Sequence, residues 1–312
     1  MMTNQPRILV GVNRSDPSRA AVEWAASRAE RNDVGLTLVH VVDVGSQGMR
    51  SDWSEKVVER SGHWLAGEQK RVQNQHPTVE VDSEALIGDP AKVLIAYSVG
   101  SRMLVVGTHK TGYVQGRVFG SMALRLVGAL TVPLAVIPQS WVRARSGVVV
   151  GVDAGLIDEA LAFGVEEAQR LQQELILLHA WLPPEWAVES SESAIDSDLE
   201  AAAWELVSEA SRRSLRESST KVRVRAVRRP AAAALIDAAT AANELIIGTS
   251  RGSDDDGGSL GAVVRDVMLN LTSPAIVVPL QHRNSILDGN AIEVATTQSA
   301  RGEDPLGSDR PG

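Results

Sequence analysis

Ile8-Leu9-Val10-Gly11-Val12-Asn13 is answered 140 residues later by Val148-Val149-Val150-Gly151-Val152-Asp153. The correspondence continues in order. Leu38-Val39-His40-Val41 matches Leu177-Leu178-His179-Ala180 at an offset of 139, and Pro90 matches Pro230 at 140. Val105-Val106-Gly107-Thr108 matches Ile246-Ile247-Gly248-Thr249, and Gly120, Pro133 and Pro138 match Gly261, Pro274 and Pro279, all at 141. A fixed order at nearly constant offset marks an internally duplicated chain. The period far exceeds the roughly 20–50 residues of a solenoid repeat. It suits a complete domain. Two domains are therefore expected, over residues 1–140 and 146–281, connected around Gln139 to Ser146.

Each half alternates short apolar runs with helical patterns. In the first, strands are expected at Arg7 to Val12, Leu36 to Val42, Val79 to Ile87, Met103 to Val106 and Pro133 to Ile137. Ser15 or Asp16 can cap the first helix, with Pro17 in its first turn. Ala21, Trp24, Ala25 and Arg28 recur at helical spacing and define its inner face. A polar helix is expected over residues 52–75, a third opening at Asp89-Pro90, and a fourth from Ser121 to about Leu130. Near-continuous apolar strands between helices imply a parallel sheet covered on both faces. Right-handed crossovers make it doubly wound. The expected fold class is α/β, two tandem doubly wound parallel-sheet sandwiches packed as a pseudo-dimer. The last strands of the halves are the edges through which the halves or two chains would pair. Pro183 to about Asp198 is acidic and serine-rich and reads as a long loop, and residues 282–312 as a disordered polar tail.

Composition sets the outer bounds. The 312 residues carry 31 basic and 39 acidic side chains, for a net charge of −8, which argues against a general nucleic-acid binder. There is no cysteine, so disulfides, thiolate metal sites and a cysteine nucleophile are excluded. No apolar run approaches the roughly 18–20 residues of a membrane span. The polar Met1 to Pro6 shows no signal-peptide pattern. A cytoplasmic protein is expected.

The candidate site lies in the loop after the fourth strand, Gly107-Thr108-His109-Lys110-Thr111-Gly112-Tyr113-Val114-Gln115-Gly116-Arg117-Val118-Phe119-Gly120-Ser121. In an open parallel sheet, ligands sit beyond the carboxyl ends of the strands. The glycines let the backbone approach a ligand, the helix start at Ser121 adds N–H donors, and Lys110 and Arg117 add charge. This composes a phosphate cradle. The same glycines would also serve a loop that only makes turns. The pattern is neither a Walker A loop nor a dinucleotide fingerprint.

These segments resemble the universal stress protein family in tandem form, over nearly the whole chain to about residue 280. The family's strand-one signature appears as Gly11-Val12-Asn13-Arg14-Ser15 and Gly151-Val152-Asp153-Ala154-Gly155, and its Gly-x-Pro as Gly88-Asp89-Pro90. Its nucleotide motif (Gly, two residues, Gly, nine residues, Gly-Ser/Thr) falls on Gly107, Lys110 and Gly120-Ser121, and again on Gly248, Arg251 and Gly261-Ala262. The resemblance implies an adenine nucleotide, ATP with or without Mg²⁺. Adenine would lie between the strand-one acid position and the end of strand two, with ribose and phosphates on the glycine loop. It assigns binding to Asn13, Val41, Gly107, Lys110, Gly112, Gly120 and Ser121. Their second-half counterparts are Asp153, Gly248, Arg251 and Gly261. Both copies depart from the motif. Asn13 loses the charge of an acid, and Lys110 replaces a glycine, either touching phosphate or filling the cradle. Ala262 lacks the hydroxyl, Trp181 lies one residue past the position matching Val41, and Asp254-Asp255-Asp256 would repel phosphate unless a divalent metal intervenes; the same run also reads as a plain solvated loop. A nucleotide is therefore expected in the first half, with the second half degenerate.

His40 and His179 lie at matching strand ends and read as packing or hydrogen-bonding residues; no catalytic residue is assigned. Lys221 to Arg225 alternates basic and apolar residues, as a strand with one charged face would. Three functions remain open. One is a stress-response regulator that binds ATP without fast catalysis and acts through partner proteins. A second is a slow Mg²⁺-dependent ATPase or nucleotidyl-transfer enzyme. The third is a ligand-free interaction module. The chain would act as a homodimer or as an intrachain pseudo-dimer.

Overall fold

The protein is described by a computed structural model over residues 7–43, 51–109, 121–141, 145–153, 157–183, 193–217, 219–249 and 261–279. All of these lie within the compact unit Met1–Leu280. Residues 282–312, read from sequence as a tail, fall outside the described residues.

The first half runs β1 (Ile8–Gly11), α1 (Asp16–Asn32), β2 (Leu36–Val42), α2 (Ser51–Gln75), β3 (Val81–Ile87), α3 (Pro90–Tyr97), β4 (Met103–Thr108), α4 (Ser121–Val127) and β5 (Leu134–Pro138). The second runs β6 (Val148–Gly151), α5 (Ile157–Leu171), β7 (Leu175–Trp181), α6 (Ser193–Glu217), β8 (Val222–Arg228), α7 (Ala231–Ala241), β9 (Glu244–Thr249), α8 (Ala262–Leu269) and β10 (Ala275–Pro279). Helix α6 opens at Ser193, so the acidic loop expected to reach Asp198 is shorter at its C-terminal end. Asp196 sits in the first turn of this helix, where the helix dipole favours it.

The ten strands among the described residues form one sheet in the order β3-β2-β1-β4-β5-β10-β9-β6-β7-β8. Pairing is parallel throughout each half. Among the described residues the one antiparallel junction is β5 on β10, the pair of edges expected from sequence. There Ala275 faces Val136, Ile276 faces Ala135 and Val277 faces Leu134. Ala135 and Ile276 are equivalent positions of the two halves and oppose each other. A pseudo-twofold axis therefore passes between them.

Two apolar layers cover the sheet. One joins α1, α2, α5 and α6 through Trp24, Leu65, Leu161 and Ala210. The other joins α3, α4, α7 and α8 through Leu94, Leu126, Leu235 and Val267. Strand residues alternate between them: Val10 and Val105 enter the first layer, Leu9 and Leu104 the second. Burying each such side chain contributes roughly 1.5–3 kcal/mol. The inner face of α1 is not wholly apolar, because Arg28 lies in it at 3% exposure.

Candidate functional site

In the first half the sheet order places β1 between β2 and β4. The chain leaves β1 toward β2 and leaves β4 toward β5, so the two connections diverge. Such a switch point opens a crevice beyond the carboxyl ends of the strands. A cavity of about 220 Å³ occupies it, lined by residues that include Asn13, His40, Val41, Leu94, Gly107 and Met122. The structure thus brings together Asn13, Val41 and Gly107. Ser121 opens α4, next to the lining residue Met122. Lys110, Gly112, Gly120 and Arg251 lie outside the described residues, as does the triple Asp.

Each wall follows from local sequence. Ser15 caps α1, its side chain accepting from the Ser18 N–H, with Pro17 in the first turn. The Asn13 side-chain oxygen accepts the Ser15 N–H at 3.0 Å, and the Asn13 N–H donates to Ser18 Oγ at 3.0 Å. The Asn13 carbonyl is thus engaged at the start of α1. Because a backbone N–H only donates, this contact fixes the oxygen toward Ser15 and leaves the amide group, two donors, for other partners.

His40 Nδ1 lies 2.8 Å from the Val12 carbonyl oxygen. A carbonyl only accepts, so Nδ1 carries the proton and Nε2 of the neutral ring is an acceptor. His179 repeats the contact on the Val152 carbonyl at 2.8 Å. Both histidines are hydrogen-bonding residues at strand ends, as the sequence suggested. The His40 ring also meets Trp64 edge-on at 5.5 Å, with the Arg14 guanidinium over Trp64.

Gly107 has a packing reason of its own. A Cβ there would stand 2.1 Å from the Pro17 carbonyl oxygen, because the start of α1 crosses directly over β4. Gly11 is similarly close-packed, its virtual Cβ 3.0 Å from Leu94. Asp89 caps α3 by accepting the Lys92 N–H and also binds Arg125 of α4 at 2.7 and 2.8 Å. These bonds, Arg125 foremost, hold the Asp89 carboxyl below the usual carboxylate range. The pair ties α4, which follows the glycine loop, to the helix beneath the cavity.

In the second half, Asp153 follows β6 and is exposed, while Gly248 is buried within β9. Gly261 caps α8, and a Cβ there would meet nothing within 4 Å. Trp181 ends β7 with the Arg228 guanidinium 5.6 Å from its ring centre. Strand β8 exposes Arg223, Arg225 and Arg228. Arg223 binds Glu174 and Arg228 binds Asp196, so this is a charged outer face.

Sequence reading missed the cluster on the inner face of α1. Arg28 lies 2.5 Å from Glu167 of α5 and 3.1 Å from Glu244 at the start of β9. All three are at least 96% buried as side chains. The available signal was an arginine in an inward helical position whose counterpart in the other half is a glutamate. No described helix is long and apolar enough to cross a membrane.

The profile of the universal stress protein family matches twice, over residues 6–138 and 147–279. A universal stress protein of Mycolicibacterium smegmatis is 27% identical over 291 residues, covering 87% of this chain and 96% of that protein. One from Mycobacterium tuberculosis H37Rv is 33% identical over 201 residues, covering 56% of this chain and 62% of the relative's length. Among solved structures, a universal stress protein from Archaeoglobus fulgidus superposes with a TM-score of 0.68. It is 15% identical and covers 89% of this chain and 99% of that one, which speaks to the fold. The two family matches fall on the two halves of the sheet, and the chain belongs to the universal stress protein family as a tandem member.

Proposed function

We propose that the first half binds an adenine nucleotide, ATP, in the crevice between β1 and β4, and that the protein regulates through its ligand state rather than by fast chemistry. One observation carries this reading. The cavity at the switch point joins apolar walls, Val39, Val41, Leu94 and Met122, to a few polar groups, Asn13, Ser15, Ser18 and His40. That is the composition of a small-molecule pocket. Such walls would suit a flat base, with the amide of Asn13 as a donor at its edge. The glycine loop from Gly107 to Ser121, with Lys110, Gly112 and Gly120, would take the ribose and phosphates. Ligand state would act on partner proteins to the extent that they favour one state.

A second reading has its own support. The Asn13 oxygen is engaged by Ser15 and Gly107 is required by packing, so two motif residues have structural duties without any ligand. This keeps open a ligand-free interaction module.

Calorimetric titration with ATP separates the two, on protein first checked for carried-over nucleotide. The wild-type chain is expected to bind, and Val41→Trp, which fills the cavity from a half-buried position, to lose at least about tenfold in affinity with an unchanged melting temperature. Gly120→Val tests the loop in the same way. Equal affinity in wild type and Val41→Trp would remove the base from this crevice. Absence of binding in the wild type, with no nucleotide carried over, would favour the interaction module.

A further inference from the structure

The buried charges at the seam distinguish the halves more sharply than the pockets do. Helices α1 and α5 end alike. Asp33 and Gln172 both adopt left-handed backbone, with φ of 51° and 53°. The Val34 N–H bonds the Ala29 carbonyl, and the Gln173 N–H bonds the Ala168 carbonyl. Counting back from these turns, Arg28 and Glu167 occupy the same position of the two halves, as do Arg31 and Arg170. The register of the strands sets a second equivalence. Ile8 faces Met103 while Val148 faces Glu244, so Glu244 stands where the first half has Met103.

Arg28 and Glu167 therefore meet across the pseudo-twofold axis, each facing its own counterpart. The guanidinium lies 2.5 Å from Glu167 and 3.1 Å from Glu244, with the Trp24 ring 4.8 Å from its carbon. Glu167 also receives Arg170 at 3.2 Å, and Arg31 is the further cation acting on Glu244. Two first halves brought together in this geometry would set Arg28 against Arg28, with Met103 in place of the carboxylate and Arg31 adding to the excess. Two second halves would set Glu167 against Glu167 with a pair of Glu244 beside them. Each like-with-like seam buries unbalanced charge. Buried charge left without a counter-ion is strongly unfavourable even after the surroundings relax. Only the unlike pairing closes the set.

We propose that Arg28, Glu167 and Glu244 form a selectivity device that makes the two halves pair with each other and rejects like-with-like pairing between chains through the β5–β10 seam. The partner this surface accepts is thus the opposite half of the same chain. The apolar edges alone discriminate weakly, since Leu134-Ala135-Val136 and Ala275-Ile276-Val277 are both small aliphatic runs. This inference concerns the seam and stands independently of nucleotide binding.

Two experiments on the full chain test it. The first is a double-mutant cycle by urea unfolding. Arg28→Glu and Glu167→Arg each create a like-charge seam and should each lower the folded-to-unfolded ratio at least about 100-fold. Built throughout in a Glu244→Gln background, so that no carboxylate opposes the charge reversed at position 28, the double variant transposes the pair and should recover at least tenfold relative to the sum of the singles. Additive losses, or recovery below tenfold, would mean that the two side chains are not recognised as a pair and would overturn the proposal. The second reads selectivity itself. The natural chain lacks cysteine, so Ser140→Cys, on the exposed turn after β5, takes a single dye. Donor- and acceptor-labelled chains are refolded together and compared with chains mixed after folding. With the natural seam, co-refolding should add no energy transfer. With Arg28→Met, Glu167→Met and Glu244→Leu combined, which keeps the seam apolar and well filled, energy transfer between chains should appear. Equal transfer with both seams would overturn the selectivity claim. If the triple variant does not fold, the double-mutant cycle decides alone.

Discussion

The two halves share a scaffold and differ in almost every polar group placed on it. Both have a glycine at the end of the first strand, tightly packed against a leucine, Leu94 in one and Leu235 in the other. Both send a histidine Nδ1 to the carbonyl of the residue after that strand at 2.8 Å. By contrast, the first half caps α3 with Asp89 and ties it to Arg125, whereas α7 begins at Pro230 with no side-chain cap. Arg229 stands in the place of Asp89 and binds Asp237 instead. Trp181 with Arg228 occupies the second-half strand end where the first half has Val42. What the halves hold in common is what the strands need in order to pack. What differs is concentrated at the crevice and the seam, where a ligand or a partner would be recognised.

The largest expected effect is at the seam. Arg28→Met leaves Glu167 and Glu244 buried without their shared cation and should cost about 3–5 kcal/mol in urea unfolding at pH 8. Next is Gly107→Ala. The new Cβ would meet the Pro17 backbone at 2.1 Å, so a loss of about 3 kcal/mol is expected. In the second half, Gly261→Ala meets nothing and should stay within about 0.5 kcal/mol. If the two glycine variants melt alike, the close approach of α1 to β4 is wrong.

The Glu244 carboxyl adds a pH dependence that Met103, at the matching position of the first half, cannot supply. Burial, opposed by Arg28, pushes its pKa up to about 7 from the usual 4.5. Between these values the folded protein holds a proton that the unfolded chain has lost. The contribution is therefore fully present below the unfolded pKa and is lost as pH rises through about 7. Urea midpoints should fall between pH 5 and 8 by an amount equivalent to about 1–3 kcal/mol. In Glu244→Gln, which cannot ionise, that fall should shrink. A slope unchanged by the substitution would show that another group sets it.

The smallest effects concern the caps. Asp89→Ala removes an N-cap and should cost about 1 kcal/mol. Arg229→Ala removes only an exposed ion pair with Asp237 and should stay within about 0.5 kcal/mol, leaving the melting temperature nearly unchanged. If Asp89→Ala moves the melting temperature no more than Arg229→Ala does, the contrast between α3 and α7 is one of sequence only.

Much of the fold was legible because it rests on local signals repeated twice. Apolar strands, Ser15 with Pro17, and Asp89 with Pro90 are each sufficient to mark an element, and the second copy corroborates them. The β5–β10 junction was legible because an unpaired edge of small aliphatic residues needs a partner. The site was legible as a location, since Asn13, Val41 and Gly107 do converge on one cavity. Its hydrogen bonding was not. Whether the Asn13 oxygen faces a ligand or Ser15 depends on the first turn of α1. The need for a glycine at position 107 depends on how closely α1 crosses β4. The Arg28 cluster was hidden for a related reason. An arginine at an inward position of a helix is interpretable only once Glu167 and Glu244, far away in sequence, are known to face it.

The most direct test of the central comparison is the stoichiometry of ATP binding to the full chain, measured by calorimetry with and without Mg²⁺ after removal of carried-over nucleotide. A live first half and a degenerate second half predict one saturable site per chain, abolished by Val41→Trp and untouched by Asp153→Asn. Two sites per chain, or a single site that survives Val41→Trp and is lost with Asp153→Asn, would contradict the account.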